Sequence, residues 1–196
     1  MSMTVSMRPA AAHHQISCRR CNIEPTWRAS ITPPALQLEL GYILRDIVPN
    51  IYDGDHLHED LAILSAEPST KDDVLLLNAF LDEVSASADA TWQLLKWHGT
   101  SHVSPYFNCK AITCFQEVGF NIYRIRPLRS RLQKYRVIYA FDNDEECNSI
   151  HILAVIIAVK SEDTPPPPEL HYDYSKNHRI SARVREEYES SGITKL

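Results

Sequence analysis

One stretch of the chain, from Gly119 to Asp142, constrains the fold more than any other, because its side chains alternate in two consecutive runs. The runs are IYRIRPL, which starts at Ile122, and YRVIYAF, which starts at Tyr135. Alternation with a period of two places successive side chains on opposite faces of an extended strand. Two such runs separated by a short connection predict an antiparallel β-hairpin.

The same stretch is strongly basic, although the chain as a whole is acidic. The protein has 196 residues, with 25 Asp and Glu against 20 Lys and Arg, and a formal net charge of −5. A hairpin that projects arginines from one face is suited to bind phosphate groups. A solvated sheet face, with arginine stems covering apolar neighbours, would produce the same pattern. Between Asn121 and Tyr139 there is no acidic residue, and the six cations are Arg124, Arg126, Arg129, Arg131, Lys134 and Arg136.

Helical spacing dominates the residues before this hairpin. Residues 35–48 carry apolar side chains at the spacing of an amphipathic helix. An acidic, turn-rich loop is predicted over 50–60. One helix is predicted to start after Ser69 or Thr70, which are N-cap residue types, and a second covers about 88–98. These two helices predict a helical hairpin.

The residues after the basic stretch predict one more strand and one more helix. The run over 149–159 is almost entirely apolar, which is typical of a buried central strand. Four consecutive prolines at 165–168 exclude the interior of a sheet. Residues 177–192 have apolar side chains at helical spacing. Helices followed by a run of strands predict an α+β fold with an antiparallel sheet.

Composition adds a prediction about domains and location. We predict a flexible arm over 1–34, a helical and loop extension over 35–70, and the main domain over 71–196. The start of the chain lacks the apolar core of a secretory signal, and no run of about 18 apolar residues predicts a membrane-spanning helix. The odd count of five cysteines favours reduced thiols, so we expect a cytoplasmic protein with no membrane partner.

A possible metal site lies in the arm. His13, His14, Cys18 and Cys21 form an HHxxxCxxC cluster of zinc-ligand types. A single Cys-x-x-Cys without a second pair of ligands is a weak signal for zinc, and a disordered arm is the preferred explanation of the cluster. We therefore predict neither a metal nor a cofactor.

Four segments together resemble the RelE/ParE toxin superfamily of bacterial toxin–antitoxin modules. They are the end of the helical hairpin, LLKWHG, the two alternating strands IYRIRPL and YRVIYAFD, and the apolar strand IHILAVIIAVK. The resemblance covers about half of the chain, from Leu75 to Tyr174, and is nearest to the HigB/RelE branch. It implies an α+β fold in which a helical hairpin packs on a small, bent antiparallel sheet.

The resemblance also implies an activity. RelE-type members cleave mRNA on the ribosome by attack of a 2′-OH on the adjacent phosphate, which needs no metal ion. It implies a cognate antitoxin, the ribosome and mRNA as partners, and general RNA contacts for Arg129, Arg131 and Lys134. The catalytic residues that it implies are Arg124, Arg126, Arg136 and Lys160, with Tyr172 or Tyr174 near the end of the chain.

Two alternatives remain open at this stage. ParE-type members share the fold but inhibit DNA gyrase, and a catalytically inactive relative would be an interaction module. The acidic remainder of the chain favours such a non-enzymatic binder. An unrelated α+β interaction domain with a similar hairpin is the third hypothesis.

Overall fold

The computed structural model describes residues 49–95, 102–103, 106–143, 148–159 and 165–195. The arm predicted over 1–34 and the helix predicted over 35–48 lie outside these residues. The described residues form an α+β structure in which one mixed sheet has helices on both of its faces.

Strands and helices are interspersed along the described part of the chain. The strands are β1 (Asn50–Asp53), β2 (His102–Val103), β3 (Phe107–Ala111), β4 (Ile122–Pro127), β5 (Tyr135–Asn143), β6 (Asn148–Ala158) and β7 (His171–Tyr172). The α-helices are α1 (Asp55–Ala66), α2 (Lys71–Ser85), α3 (Ala88–Leu94), α4 (Thr113–Gln116) and α5 (Arg179–Ser190). Two short 3₁₀ helices cover Ser130–Leu132 and Pro168–Leu170.

The predicted strands β4, β5 and β6 are confirmed, and β6 lies inside the sheet. The strand order is β1-β6-β5-β4-β3-β2, and β7 pairs with β6 beyond the end of β1. Neighbours from β2 to β6 are antiparallel, whereas β1 and β7 both run parallel to β6. The prediction of a purely antiparallel sheet is therefore wrong at this edge. Strands of four and two residues are too short to show an alternating pattern.

Helix α1 occupies most of the segment that was predicted to be an acidic loop. It begins after Gly54, and the Glu187 carboxylate on α5 accepts a hydrogen bond from the Asp55 N–H at 3.1 Å. A carboxylate at a helix N-terminus is favourable, because it faces unpaired N–H groups and the positive end of the helix dipole. Glu187 is 132 positions away in the chain, so the local sequence could not indicate this cap.

Each face of the sheet buries a separate apolar core. The first face packs against α1, α2 and α3, and the second packs against α4 and α5. Because successive side chains of a strand point to opposite faces of the sheet, alternate residues enter the two cores. On the first face the largest buried side chains include Phe80, Phe107, Tyr135, Tyr139 and Phe141. On the second face they include Phe115, Ile138, Tyr172, Val184 and Tyr188.

A buried carboxylate fills the gap between β1 and β7 along the edge of β6. Asp60 on α1 accepts a hydrogen bond from the Val155 N–H at 2.8 Å and pairs with Arg183 on α5 at 2.6 Å. Burial raises the pKa of Asp60 to about 6, although Arg183 opposes the shift. Residues 50–66, which the domain prediction assigned to an extension, thus belong to the same sheet and core. No described helix has both the length and the apolar character required to cross a bilayer.

Candidate functional site

The arginines of β4 lie on the second face of the sheet, on the same side as α5. Side chains alternate between the two faces along β4. Tyr123 and Ile125 lie in the first core, so Arg124 and Arg126 project from the opposite face. The register with β3 places Lys110 directly beside Arg124. Lys110 is exposed and was not singled out in the sequence, because no alternating pattern marked β3.

Arg136 on β5 projects from the same face and is almost completely buried, with 4% of its surface exposed. Its Nη1 donates hydrogen bonds to the backbone carbonyls of Gln133 at 2.7 Å and Tyr135 at 2.5 Å. Its Nε is buried without a hydrogen-bond partner. Burial lowers the pKa of Arg136, and the neighbouring positive charges of Arg124 and Arg126 lower it further.

Tyr174, which follows β7, contacts the arginines of β4 and β5. The Arg124 guanidinium carbon lies 4.6 Å from the centre of the Tyr174 ring, which is a cation–π contact. Tyr174 has a φ of 65°, a left-handed conformation that is uncommon outside glycine. Its hydroxyl is buried without a hydrogen bond of good geometry, and its interaction with Arg136 raises the pKa of that guanidinium against the effect of burial.

We call Arg124, Arg126, Arg136 and Tyr174 the arginine cluster. Arg126 makes one long hydrogen bond, from Nη2 to the Gln133 side chain at 3.4 Å, and its Nε is buried and unpaired. Among the described residues, no ion pair links these arginines or Lys110 to a carboxylate. Several buried donors without partners, in a region of uncompensated positive charge, are suited to receive an anion with multiple oxygen atoms.

The other three cations of the basic stretch are paired with carboxylates of α2. Arg129 binds Glu83 at 2.5 Å. Arg131 and Lys134 both bind the buried Asp73, at 2.5 and 2.9 Å. The prediction that Arg129, Arg131 and Lys134 contact RNA stays a prediction, but each of them holds the hairpin against α2.

Asp73 is the centre of this second group, which we call the Asp73 cluster and which contains Asp73, Arg131, Lys134 and Tyr135. The Tyr135 hydroxyl donates a hydrogen bond to Asp73 Oδ2 at 2.8 Å. Burial acts to raise the pKa of Asp73, but hydrogen bonds from Lys134, Tyr135 and Arg131 outweigh it and hold the pKa below the ordinary value.

The two candidate tyrosines occupy different environments. Tyr172 is fully buried, and its hydroxyl shares a 2.6 Å hydrogen bond with Ser181 on α5. Burial raises the pKa of Tyr172, so its hydroxyl stays protonated at neutral pH and releases its proton less readily than an ordinary tyrosine. Its ring packs on Tyr174 with the ring centres 4.8 Å apart. The structure therefore places Tyr174, and not the Tyr172 hydroxyl, beside the arginines.

The remaining candidates lie beyond what the structure describes. Lys160 and the histidine and cysteine cluster at 13–21 are outside the described residues. In the described part of the chain, no three His, Cys, Asp or Glu side chains are grouped closely enough to hold a metal ion. We found no match to this chain among protein-family models, curated proteins or solved structures. The resemblance to the RelE/ParE superfamily stays a prediction.

Proposed function

We propose that the arginine cluster binds the phosphate groups of RNA, and that the protein is a ribosome-dependent mRNA endoribonuclease of the RelE type. The observation that supports this most directly is the pair of unpaired buried donors, the Nε atoms of Arg126 and Arg136, next to the buried Tyr174 hydroxyl. Since no carboxylate of the described residues pairs with these arginines, a phosphate would satisfy the donors and offset the charge.

The chemistry assigns distinct tasks to the members of the cluster. Attack of a 2′-OH on the adjacent phosphate requires the phosphate to be oriented and its developing negative charge to be stabilised. Arginine stays protonated at neutral pH, so Arg124, Arg126 and Arg136 would hold charge and not transfer protons. The attack forms the bond from the 2′ oxygen to phosphorus and breaks the bond from phosphorus to the 5′ oxygen, so the 2′-OH loses a proton and the 5′ oxygen gains one. We assign donation to the 5′ oxygen to the Tyr174 hydroxyl, which regains its proton from water, and the 2′-OH proton passes to water. Lys160 would add positive charge from the segment that follows β6.

RNA binding can be tested with a pair of variants that lose the same charge on opposite faces of the sheet. We expect Arg126→Ala to weaken binding of a fluorescent single-stranded RNA by about tenfold, since one phosphate contact is lost. Arg129→Ala removes an arginine that is paired with Glu83 and should change the affinity by less than about twofold. Fluorescence anisotropy measures both. Equal losses for the two variants would contradict a site at the arginine cluster.

The cleavage step needs a separate measurement in bacterial cells. We expect induction of the wild-type protein to arrest growth and to produce mRNA fragments with 2′,3′-cyclic phosphate ends at codon boundaries. Tyr174→Phe keeps the ring beneath Arg124 but removes the hydroxyl, so it should retain RNA binding and lose cleavage. A Tyr174→Phe variant that cleaves mRNA at the wild-type rate would exclude this role of the hydroxyl.

The second candidate is a non-enzymatic binder that uses the same cluster. The observation that favours it is that cleavage moves two protons, whereas the arginines transfer none and Tyr174 is the one tyrosine of the predicted pair that lies beside them, because the Tyr172 hydroxyl is bonded to Ser181. A gyrase inhibitor of the ParE type would arrest growth with DNA damage and intact mRNA. In either case we expect a cognate antitoxin to cover the arginine cluster, and its co-expression should restore growth.

A further inference from the structure

A groove lies between the helical hairpin and the first face of the sheet, on the side away from the arginine cluster. It encloses about 570 Å³. Its floor is formed by apolar side chains from the sheet and from three helices, namely Leu57, Val84, Leu94, Ile125 and Ile152. A cavity of this size is within the range of sites that bury apolar ligand groups.

The groove has an amphipathic rim. Leu61 and Leu81 are partly exposed on the facing sides of α1 and α2. Polar side chains surround them, including Asp53, His58 and Asp82. An apolar floor with a polar border, lying between two helices, is the form of groove that receives the apolar side of a third helix.

The chain carries a matching segment directly upstream of this groove. Residues 35–48, outside the described residues, have apolar side chains at helical spacing, at Leu36, Leu40, Ile43, Leu44 and Ile47. A helix of this length would extend about 21 Å. Only Pro49 separates the segment from β1, and Ile51 and Asp53 of β1 line the groove.

We propose that residues 35–48 bind in this groove as an amphipathic helix and complete the first apolar core. The connection through Pro49 favours this occupant over a second molecule, because a short tether gives the segment a high effective concentration at the groove. Leu40 and Leu44 are one helical turn apart and would lie on the apolar side. Gly41 and Arg45, one position further along, would face solvent.

The proposal can be tested in the full-length protein with two matched double variants. Leu40→Asn with Leu44→Asn should expose the groove, whereas Gly41→Asn with Arg45→Asn should leave it covered. We expect an environment-sensitive apolar dye to fluoresce several-fold more strongly with the first variant than with the wild type or the second variant. Circular dichroism checks that all three proteins are folded. Equal dye fluorescence in all three would overturn the proposal.

A second measurement reports directly on the rim of the groove. Leu81→Cys introduces a thiol into the rim of the groove, and its labelling by a maleimide can be followed by peptide mass spectrometry. We expect labelling at position 81 to accelerate at least tenfold when the Leu40→Asn and Leu44→Asn changes are added. A short bismaleimide should link Leu81→Cys to Leu44→Cys but not to Arg45→Cys. Fast labelling without any cross-link would overturn the proposal, and a cross-link between two copies would indicate a second molecule as the occupant.

Discussion

The Asp73 cluster and the arginine cluster are built from cations of the same short stretch, yet their electrostatics are opposite. Arg131 and Lys134 surround the buried Asp73, which accepts hydrogen bonds and stays ionised. Arg124, Arg126 and Arg136 lie on the other face of the sheet, where no carboxylate of the described residues pairs with them, and burial with mutual repulsion lowers the pKa of Arg136. Removing the carboxylate of such a paired cluster leaves charges without a partner, whereas an unpaired cluster already carries this cost, which a ligand can offset.

A large effect should follow from removing the central carboxylate of the Asp73 cluster. Asp73→Asn leaves Arg131, Lys134 and the Tyr135 hydroxyl without their common acceptor, and we expect the free energy of unfolding to fall by about 2–3 kcal/mol. Asp72→Asn is the matched control, because Asp72 is exposed and lies 3.5 Å from Arg131. It should change stability by less than about 0.5 kcal/mol. Urea unfolding measures the free energy of unfolding of both variants. A similar loss of stability in the two would contradict a special role of the buried Asp73 carboxylate.

The pH dependence of stability should distinguish Asp73 from Asp60, the other buried carboxylate. Burial raises the pKa of Asp60 from 3.8 in the unfolded chain to about 6 in the folded protein. The folded state therefore binds the carboxyl proton more tightly, and the stability that this proton contributes is lost as pH rises from 3.8 to about 6. The loss should be about 3 kcal/mol. The pKa of Asp73 is lowered, so its contribution is lost as pH falls below 3.8.

Unfolding measured from pH 3 to pH 8 tests these signs. Asp60→Asn should flatten the wild-type decrease in stability between about pH 4 and 6, because the titrating group is gone. Asp73→Asn should keep that decrease and lose part of the decline at lower pH. If the Asp60→Asn variant shows the same decrease in stability between about pH 4 and 6 as the wild type, groups other than Asp60 cause that decrease.

The smallest effect on stability is expected from single arginine substitutions in the arginine cluster and in the connection between β4 and β5. Removing an unpaired positive charge relieves repulsion, so Arg126→Gln should leave stability unchanged or raise it by about 0.5 kcal/mol, whereas Arg129→Gln should lower it by about 0.5 kcal/mol. The salt dependence of RNA binding should lose about one unit of slope for Arg126→Gln only. The same sign of stability change in both variants would contradict the contrast between the two clusters.

Strong local patterns allowed much of the fold to be predicted. The period-two runs located β4 and β5, the apolar run located β6, and helical spacing located α2 and α5. The parallel strands β1 and β7 are too short to produce a periodic signal. Helix α1 depends on Glu187, which is distant in the chain.

The candidate site was predicted less completely, for a similar reason. The sequence separates cations on strands from cations in the connection, but their partners lie elsewhere. Arg129 pairs with a residue 46 positions away, and Arg131 with one 58 positions away. The choice of Tyr174 over Tyr172 depends on the left-handed backbone at Tyr174 and on Ser181 of α5. Such contacts are properties of the assembled chain.

The shared edge of β6 has a consequence for the order in which the protein forms. Strand β1 and helix α1 are synthesised well before the groups that fix them, because Arg183 and Glu187 come 123 and 132 positions after their partners. Native closure of the sheet therefore has to wait until α5 has left the ribosome, and contacts of such long sequence separation slow folding. Tyr174 joins the arginines only at that late stage. A nascent chain in which α5 has yet to be made would then carry an incomplete site.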